Sequence, residues 1–233
     1  MKIIIVTPSM LLVGGIERVV SIQANYWAKT NNKVYIVTNN NESSNDSFYK
    51  LSSNVSIINI SNKYSQSSNI LHRIENFFSY KKNLANIIKE IRPDIIISTM
   101  HGRDFLILPS ICIGIPIVAI NHISMTLRRG DYLFSCKKKF INNIKYHLLV
   151  NRLKKYNYLV ALSRTDEILM KSINSNTVCI PNPVNIFVNT NNNLERKKIV
   201  ICVGRLDYLK GQDRLLKIWK HIAKKNQIGR AHV

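Results

Sequence analysis

Two basic residues, Arg205 and Lys210, form the most specific chemical pattern in the sequence. They lie five positions apart in VGRLDYLKG, with Gly204 and Gly211 beside them and no other basic residue between them. An apolar run precedes the pair and a helical pattern follows it. Two cations at the carboxyl end of a strand can neutralise the charge of a departing diphosphate. Group-transfer reactions need this charge to be stabilised as it develops. The alternative is two solvated loop charges.

A glycine-rich loop follows the first apolar run of the chain. It ends in Gly14 and Gly15 and opens a helical pattern that contains Glu17. Glycines let the backbone approach a ligand closely, and a helix N-terminus attracts anions. The loop has neither the G-x-G-x-x-G spacing of dinucleotide sites nor the Gly-Lys-Ser/Thr of a P-loop. It is a candidate ligand loop, with an ordinary turn as the alternative.

Two histidines directly follow predicted strands. His122 comes after PIVAIN, and His101 comes after DIIISTM. A histidine at the carboxyl end of a parallel strand can bind a substrate or move a proton. His122 is the stronger candidate for a catalytic residue, and the alternative is a histidine that only caps its strand.

The elements that must position these residues alternate between short apolar runs and helical patterns. This alternation predicts an α/β fold with a doubly wound, Rossmann-like parallel sheet covered on both faces. Strands are predicted at 2–7, 33–38, 55–60, 94–98, 116–120, 158–162, 177–180 and 199–203. Helices are predicted at 16–29, 70–91, 134–156 and 213–225.

The sequence divides into segments of different composition. Residues 1–182 are predicted to form the first domain, residues 183–198 a polar linker, and residues 199–227 the first strand-loop-helix of a second Rossmann-like domain. The last segment, IGRAHV at 228–233, matches a translated stretch of a common sequencing adaptor. We interpret it as adaptor read-through, with a genuine short C-terminus as the alternative.

The net charge and the cysteine content indicate which partners and which cellular compartment to expect. The net charge is +21, which attracts polyanions, although a codon bias towards Lys and Asn can supply part of it. No nucleic-acid-binding motif accompanies the charge, so specific nucleic-acid binding is not expected. The basic helix predicted at 134–156 could instead lie on anionic membrane headgroups. The four cysteines form no C-x-x-C, which favours a reducing cytoplasm.

Several motifs together resemble the family 4 glycosyltransferases, which have the two-domain GT-B architecture. VGRLDYLKGQDRLLKIW resembles the family's nucleotide-sugar segment, and GGIERVV resembles its glycine-rich loop. ALSRTDEI and IPNPV are similar to the family's segments before the interdomain linker. The resemblance covers the chain up to about Lys225, and the order of the motifs adds to their specificity.

The resemblance implies roles for individual residues. Gly14, Gly15 and Glu17 would belong to the acceptor or phosphate loop. His122 would lie beside the transferred sugar, facing Arg205 and Lys210, which would bind the donor diphosphate. The family usually needs no divalent metal, and the sequence lacks the Asp-x-Asp of metal-dependent transferases. We therefore expect no metal and no cofactor, with a nucleotide sugar as co-substrate.

One family motif is missing. The Glu-x7-Glu that contacts the donor should follow Lys210 in the second domain, and the sequence ends before such a motif. The expected function is retaining transfer from a nucleoside diphosphate sugar to a glycan or lipid-linked acceptor, in cell-surface polysaccharide synthesis. The expected location is the cytoplasm, peripherally on the inner membrane face. The chain is expected to be a truncated front part, and the alternative is a non-catalytic acceptor- or anion-binding module.

Overall fold

The structure is a computed structural model that describes residues 1–39, 46–60, 70–125, 136–184, 200–204, 206 and 210–226. The chain divides into two compact units, Met1–Asn185 and Ile186–Val233. Seven strands and five helices are described in the first unit, and one helix in the second.

The strands of the first unit are β1 (Lys2–Val6), β2 (Lys33–Thr38), β3 (Val55–Asn59), β4 (Ile95–Ser98), β5 (Ile117–Asn121), β6 (Tyr158–Ala161) and β7 (Thr177–Cys179). Its helices are α1 (Gly15–Lys29), α2 (Ile70–Ile91), α3 (Asp104–Ile111), α4 (Cys136–Leu153) and α5 (Arg164–Lys171), and α6 (Gln212–Asn226) lies in the second unit.

The seven strands form one parallel sheet in the order β3-β2-β1-β4-β5-β6-β7. The order runs outward in both directions from the β1–β4 pair, which is the doubly wound arrangement predicted from the sequence. Val6 pairs with Ser98 in this central register. The chain therefore leaves these two neighbouring strands towards opposite halves of the sheet, which opens a crevice at their carboxyl ends.

Both faces of the sheet are buried, because successive side chains of a strand point to opposite faces. Ile4 and Val6 pack in one core cluster with residues of α2, α3 and α4, while Ile3 and Ile5 pack in the other with residues of α1. This explains why the strands are continuous apolar runs instead of alternating patterns.

Helix α3 was not predicted from the sequence, and its formation depends on a distant residue. Pro109 lies inside the helix and has no N–H to donate to the carbonyl of Phe105, four residues earlier. The buried phenol of Tyr156, just beyond α4, donates a 3.0 Å hydrogen bond to that carbonyl. A tertiary contact thus replaces the missing helical hydrogen bond.

Helix α4 differs in part from the prediction. Within the described residues it spans Cys136–Leu153, so it ends three residues before the predicted end at 156, and its apolar residues do not share one buried face. The predicted residues 134 and 135 lie outside the described part. Leu149 and Leu153 are in the core, whereas Ile144 and Leu148 are exposed. Phe140 and Ile141, the other two predicted members of the face, have side chains outside the described part.

The predicted strand at 199–203 is also not formed as expected. In the described residues 200–203, Ile201 alone takes part in an isolated bridge. Val203 is 91% exposed, and Ile201 and Leu206 are exposed as well. A strand needs neighbouring strands to bond with and a layer to cover it, and the described residues of the second unit supply neither.

Candidate functional site

The loop after β1 is held in place by its own backbone. The N–H of Thr7 donates to the carbonyl of Val37, and Pro8 and Met10 accept hydrogen bonds from Asn39 and Phe48 at 3.0 and 2.8 Å. The side chain of Met10 is fully buried. The loop between β1 and α1 is therefore fastened to the β2 side of the sheet before it reaches the two glycines.

Gly14 is the N-cap of α1 and Gly15 is its first residue. A Cβ on Gly14 would overlap the carboxylate of Glu17, whereas a Cβ on Gly15 would meet no atom within 4 Å. Glu17 thus folds back over the first turn, where the partial positive charge of the helix favours a carboxylate. The open space at Gly15 is where a ligand could approach, and an anion there would compete with Glu17.

The loop after β4 lies beside the loop after β1. The hydroxyl of Thr99 lies 3.3 Å from the backbone oxygen of Val6 and 3.3 Å from the hydroxyl of Thr7. A Cβ on Gly102 would lie 3.5 Å from the ring of Pro8. His101, between these contacts, is exposed. The two central loops of the crevice are therefore packed together.

A buried carboxyl group, Asp104, shapes this second loop. Its carboxylate accepts a short hydrogen bond from the hydroxyl of Ser98 and further ones from backbone N–H groups, those of Gly102 and Phe105 among them. Burial is the main effect on its ionisation, and it raises the pKa of Asp104 to about 6 despite these donors. Met100, held in the same loop, adopts a positive φ of 53°.

His122 follows β5 at the same edge of the sheet. The register pairs Ser98 with Ala119, so His101 and His122 each lie three residues beyond a paired position on neighbouring strands. His122 is half-buried, and its Nε2 atom is shielded from solvent. Asn121, buried before it, donates to the sulfur of Met170 in α5 at 3.7 Å.

Asp166 of α5 fastens the loop that carries His122. One carboxylate oxygen accepts hydrogen bonds from the hydroxyl of Ser124 and the N–H of Met125, both at 3.0 Å. The other oxygen accepts from the hydroxyl of Ser163, whose own oxygen caps the N–H of Asp166. Sequence reasoning missed this residue, although Ser163 three residues before a carboxylate resembles a capping box.

The two basic residues predicted to bind a diphosphate, Arg205 and Lys210, belong to the second unit. Arg205 lies outside the described residues. Lys210 is exposed and precedes α6, and its Cγ lies 3.7 Å from where a Cβ on Gly204 would be. Gly211 has a φ of +70°, a conformation that strongly favours glycine. The loop therefore folds Lys210 back towards the residue that precedes Arg205.

A family model named Glyco_transf_4, Glycosyltransferase Family 4, matches residues 13–186. The chain belongs to glycosyltransferase family 4. The matched range contains Gly14 and Gly15, both histidines that follow strands, and Asp166, which holds the loop of His122. No curated protein sequence matches the chain significantly.

Solved structures share the GT-B type of fold with this family 4 chain. Sucrose-phosphate synthase from Thermosynechococcus elongatus superposes with a TM-score of 0.58 at 10% identity, covering 77% of this chain and 47% of that one. The lipopolysaccharide outer core galactosyltransferase WaaB, in its apo form, gives 0.55 at 16% identity, covering 81% and 47%. A shorter chain of the synthase gives 0.53 at 10% identity, covering 79% of this chain and 91% of that one. The family 4 chain thus spans about half the length of the first two structures.

Within the described residues, no cluster of three or more His, Cys, Asp or Glu side chains is placed to bind a metal ion. None of the described helices is long and apolar enough to cross a membrane.

Proposed function

We propose that this chain supplies the acceptor-side domain of a retaining glycosyltransferase. The substrates proposed are a nucleoside diphosphate sugar and a glycan or lipid-linked acceptor, in cell-surface polysaccharide synthesis. The observation that carries the proposal is the family match over residues 13–186, because it includes Gly14 and Gly15 at the start of α1 and the loops that follow β4 and β5 at the carboxyl edge of the sheet. In an open α/β sheet this edge is the usual ligand site.

In this proposal the candidate residues act on different parts of the two substrates. His122 binds the transferred sugar or moves a proton at the reacting centre. Arg205 and Lys210 bind the diphosphate of the donor and stabilise its charge as it leaves. Gly15 provides the close approach for a ligand, and Glu17 moves aside or contacts a hydroxyl. The reaction needs no metal or cofactor, and it takes place at the cytoplasmic face, where the net charge of +21 favours an anionic membrane.

Sugar transfer can be tested in two steps, first by sequencing the gene and then by assaying the protein that it encodes. Sequencing the genomic DNA beyond the codon for Gln227 should show the frame continuing into a Glu-x7-Glu motif. The encoded protein should then release nucleoside diphosphate from UDP-glucose, UDP-galactose, UDP-N-acetylglucosamine or GDP-mannose when an acceptor is added. If none of these donors binds by calorimetry or reacts, the transferase proposal is wrong.

The second candidate is an acceptor- or anion-binding module without catalysis. The observation in its favour is the exposure of Ile201, Val203 and Leu206 in a unit where the described residues form one helix and an isolated bridge. Such a module would bind an acceptor but no nucleotide sugar. A stop codon directly after IGRAHV in the genomic DNA, with no donor binding, would favour this candidate.

A further inference from the structure

A cavity of about 470 Å³ lies against the N-terminal half of α2 and is lined by residues that have no role in the proposed function. Four lining residues belong to α2, namely Arg73, Ile74, Phe77 and Phe78. The fifth is Arg103, which directly precedes α3. Its volume is in the range of small-molecule sites. The two elements approach each other because α2 and α3 pack in the same core cluster.

One part of the lining is apolar and open to solvent. Phe77 and Phe78 meet edge to face with their ring centroids 5.8 Å apart. Phe78 is 62% exposed and Ile74 is 51% exposed, and Leu71 continues the same face one turn earlier. Large apolar side chains grouped in this way favour a partner that removes them from water.

The other part of the lining is cationic. Arg73 is exposed and Arg103 is half-buried, and none of the described lining residues is acidic. The nearest buried carboxyl in sequence, Asp104, is already hydrogen-bonded to Ser98 and to backbone N–H groups. Guanidinium groups bind phosphate through two parallel hydrogen bonds, and an apolar surrounding strengthens such pairs.

The cavity also adjoins the proposed site. Arg103 directly follows Gly102, which packs against Pro8 in the loop after β1. Through Arg103 the cavity therefore shares the loop after β4 with the crevice at the carboxyl ends of β1 and β4. Neither the glycine-rich loop nor the donor-side pair includes any of the cavity residues.

We propose that this cavity binds one molecule of a phosphate-bearing amphiphile. Its apolar chain lies on Ile74, Phe77 and Phe78, and its phosphate lies between Arg73 and Arg103. The assignment of this molecule as the sugar acceptor rests on the proposed function, whereas the binding itself does not.

The test measures binding of dodecyl phosphate, below its micellar concentration, to the full chain by isothermal titration calorimetry. No nucleotide sugar is added. Inorganic phosphate supplies the charge without the chain, and dodecyl maltoside supplies the chain without the charge. We expect dodecyl phosphate to bind at least tenfold more tightly than either, because it alone contacts both halves of the cavity.

Variants locate the binding. R73Q/R103Q and F78S should each weaken it tenfold or more. The control K89Q/K155Q removes two exposed charges elsewhere, and the control I113S removes an apolar side chain that is 90% exposed. Neither control should change the dissociation constant more than twofold. Because R73Q alone alters an exposed side chain, it tests the charge contribution even if the double variant unfolds.

Three results would overturn the proposal: equal losses in the control and cavity variants, equal binding of dodecyl maltoside, or binding to phosphatidylglycerol vesicles with none to monomeric dodecyl phosphate. Failure of transfer does not affect this test. If dodecyl phosphate binds as expected while no donor reacts, the cavity assignment stands and the transferase proposal fails.

Discussion

The carboxylate of Asp166 accepts a 3.0 Å hydrogen bond from the hydroxyl of Ser124. These residues are 42 positions apart and join the start of α5 to the loop after β5. The same oxygen accepts from the N–H of Met125, so backbone and side chain are held together. The loop that carries His122 is therefore positioned by a neighbouring helix as well as by its own strand.

Replacing Asp166 should loosen this loop. Asp166→Ala removes the acceptor of three hydrogen bonds, from the hydroxyl of Ser124, the N–H of Met125 and the hydroxyl of Ser163. We expect a loss of about 1–3 kcal/mol in the free energy of unfolding, measured by urea denaturation. The control Glu75→Gln alters an exposed side chain on α2 and should change stability by less than about 0.5 kcal/mol. Equal effects of the two variants would contradict the fastening role.

The hydrogen bond from Tyr156 to the carbonyl of Phe105 in α3 should contribute to the free energy of unfolding. Tyr156→Phe removes the hydroxyl that donates to the carbonyl of Phe105. Pro109 has no N–H that could replace this donor. We expect a loss of about 1–2 kcal/mol in the free energy of unfolding, because a partly buried acceptor then loses its donor. Tyr158→Phe is the matched control, since Tyr158 is 52% exposed. Full stability in Tyr156→Phe would show that water replaces the hydroxyl.

Asp104 should make stability depend on pH. Burial raises its pKa in the folded chain from the ordinary 3.8 to about 6, so the folded chain binds the proton more tightly than the unfolded chain. The contribution of Asp104 to the free energy of unfolding is therefore fully present below about pH 4, and it is lost as pH rises through about 6. Burial raises the pKa values of the nearby phenols of Tyr80 and Tyr156 above their ordinary value of 10. Both phenols therefore remain neutral between pH 4 and pH 7.

The measurement compares the wild-type chain with Asp104→Asn by urea denaturation between pH 4 and pH 7. The stability difference, wild type minus variant, should fall by about 2–3 kcal/mol over this range, because one pKa unit corresponds to 1.36 kcal/mol. A difference independent of pH would mean that Asp104 titrates at its ordinary pKa in the folded chain.

His122 should affect turnover if the transferase proposal is right. His122→Ala, in the transferase encoded by the gene, should lower kcat by roughly 10²- to 10⁴-fold, the usual contribution of a positioned acid or base. Its effect on folding should be small, because the loop is held by Asp166 and the buried Asn121. His147→Ala removes an exposed histidine of α4 and is the control. If both variants retain wild-type kcat, His122 has no catalytic role.

The elements of the first unit could be predicted because each has a local signature. Seven of the eight predicted strands formed with ends that shifted by at most one residue, and α2 formed at the predicted 70–91. The exception is 199–203, of which residues 200–203 are described, because an apolar run becomes a strand only where neighbouring strands accept its hydrogen bonds. Helix α5 was missed because its eight residues are too short for a clear period.

The amino-acid sequence by itself determined the α/β class, the order of the elements and the residues that follow the strands, because local periodicity and composition encode them. Tertiary structure alone decided which loops are neighbours: the β1–β4 register placed Gly102 against Pro8, and Asp166 fastened the loop of His122. It also created the cavity between α2 and Arg103. These relationships join residues distant in the chain, so packing of the whole sheet is needed before they exist.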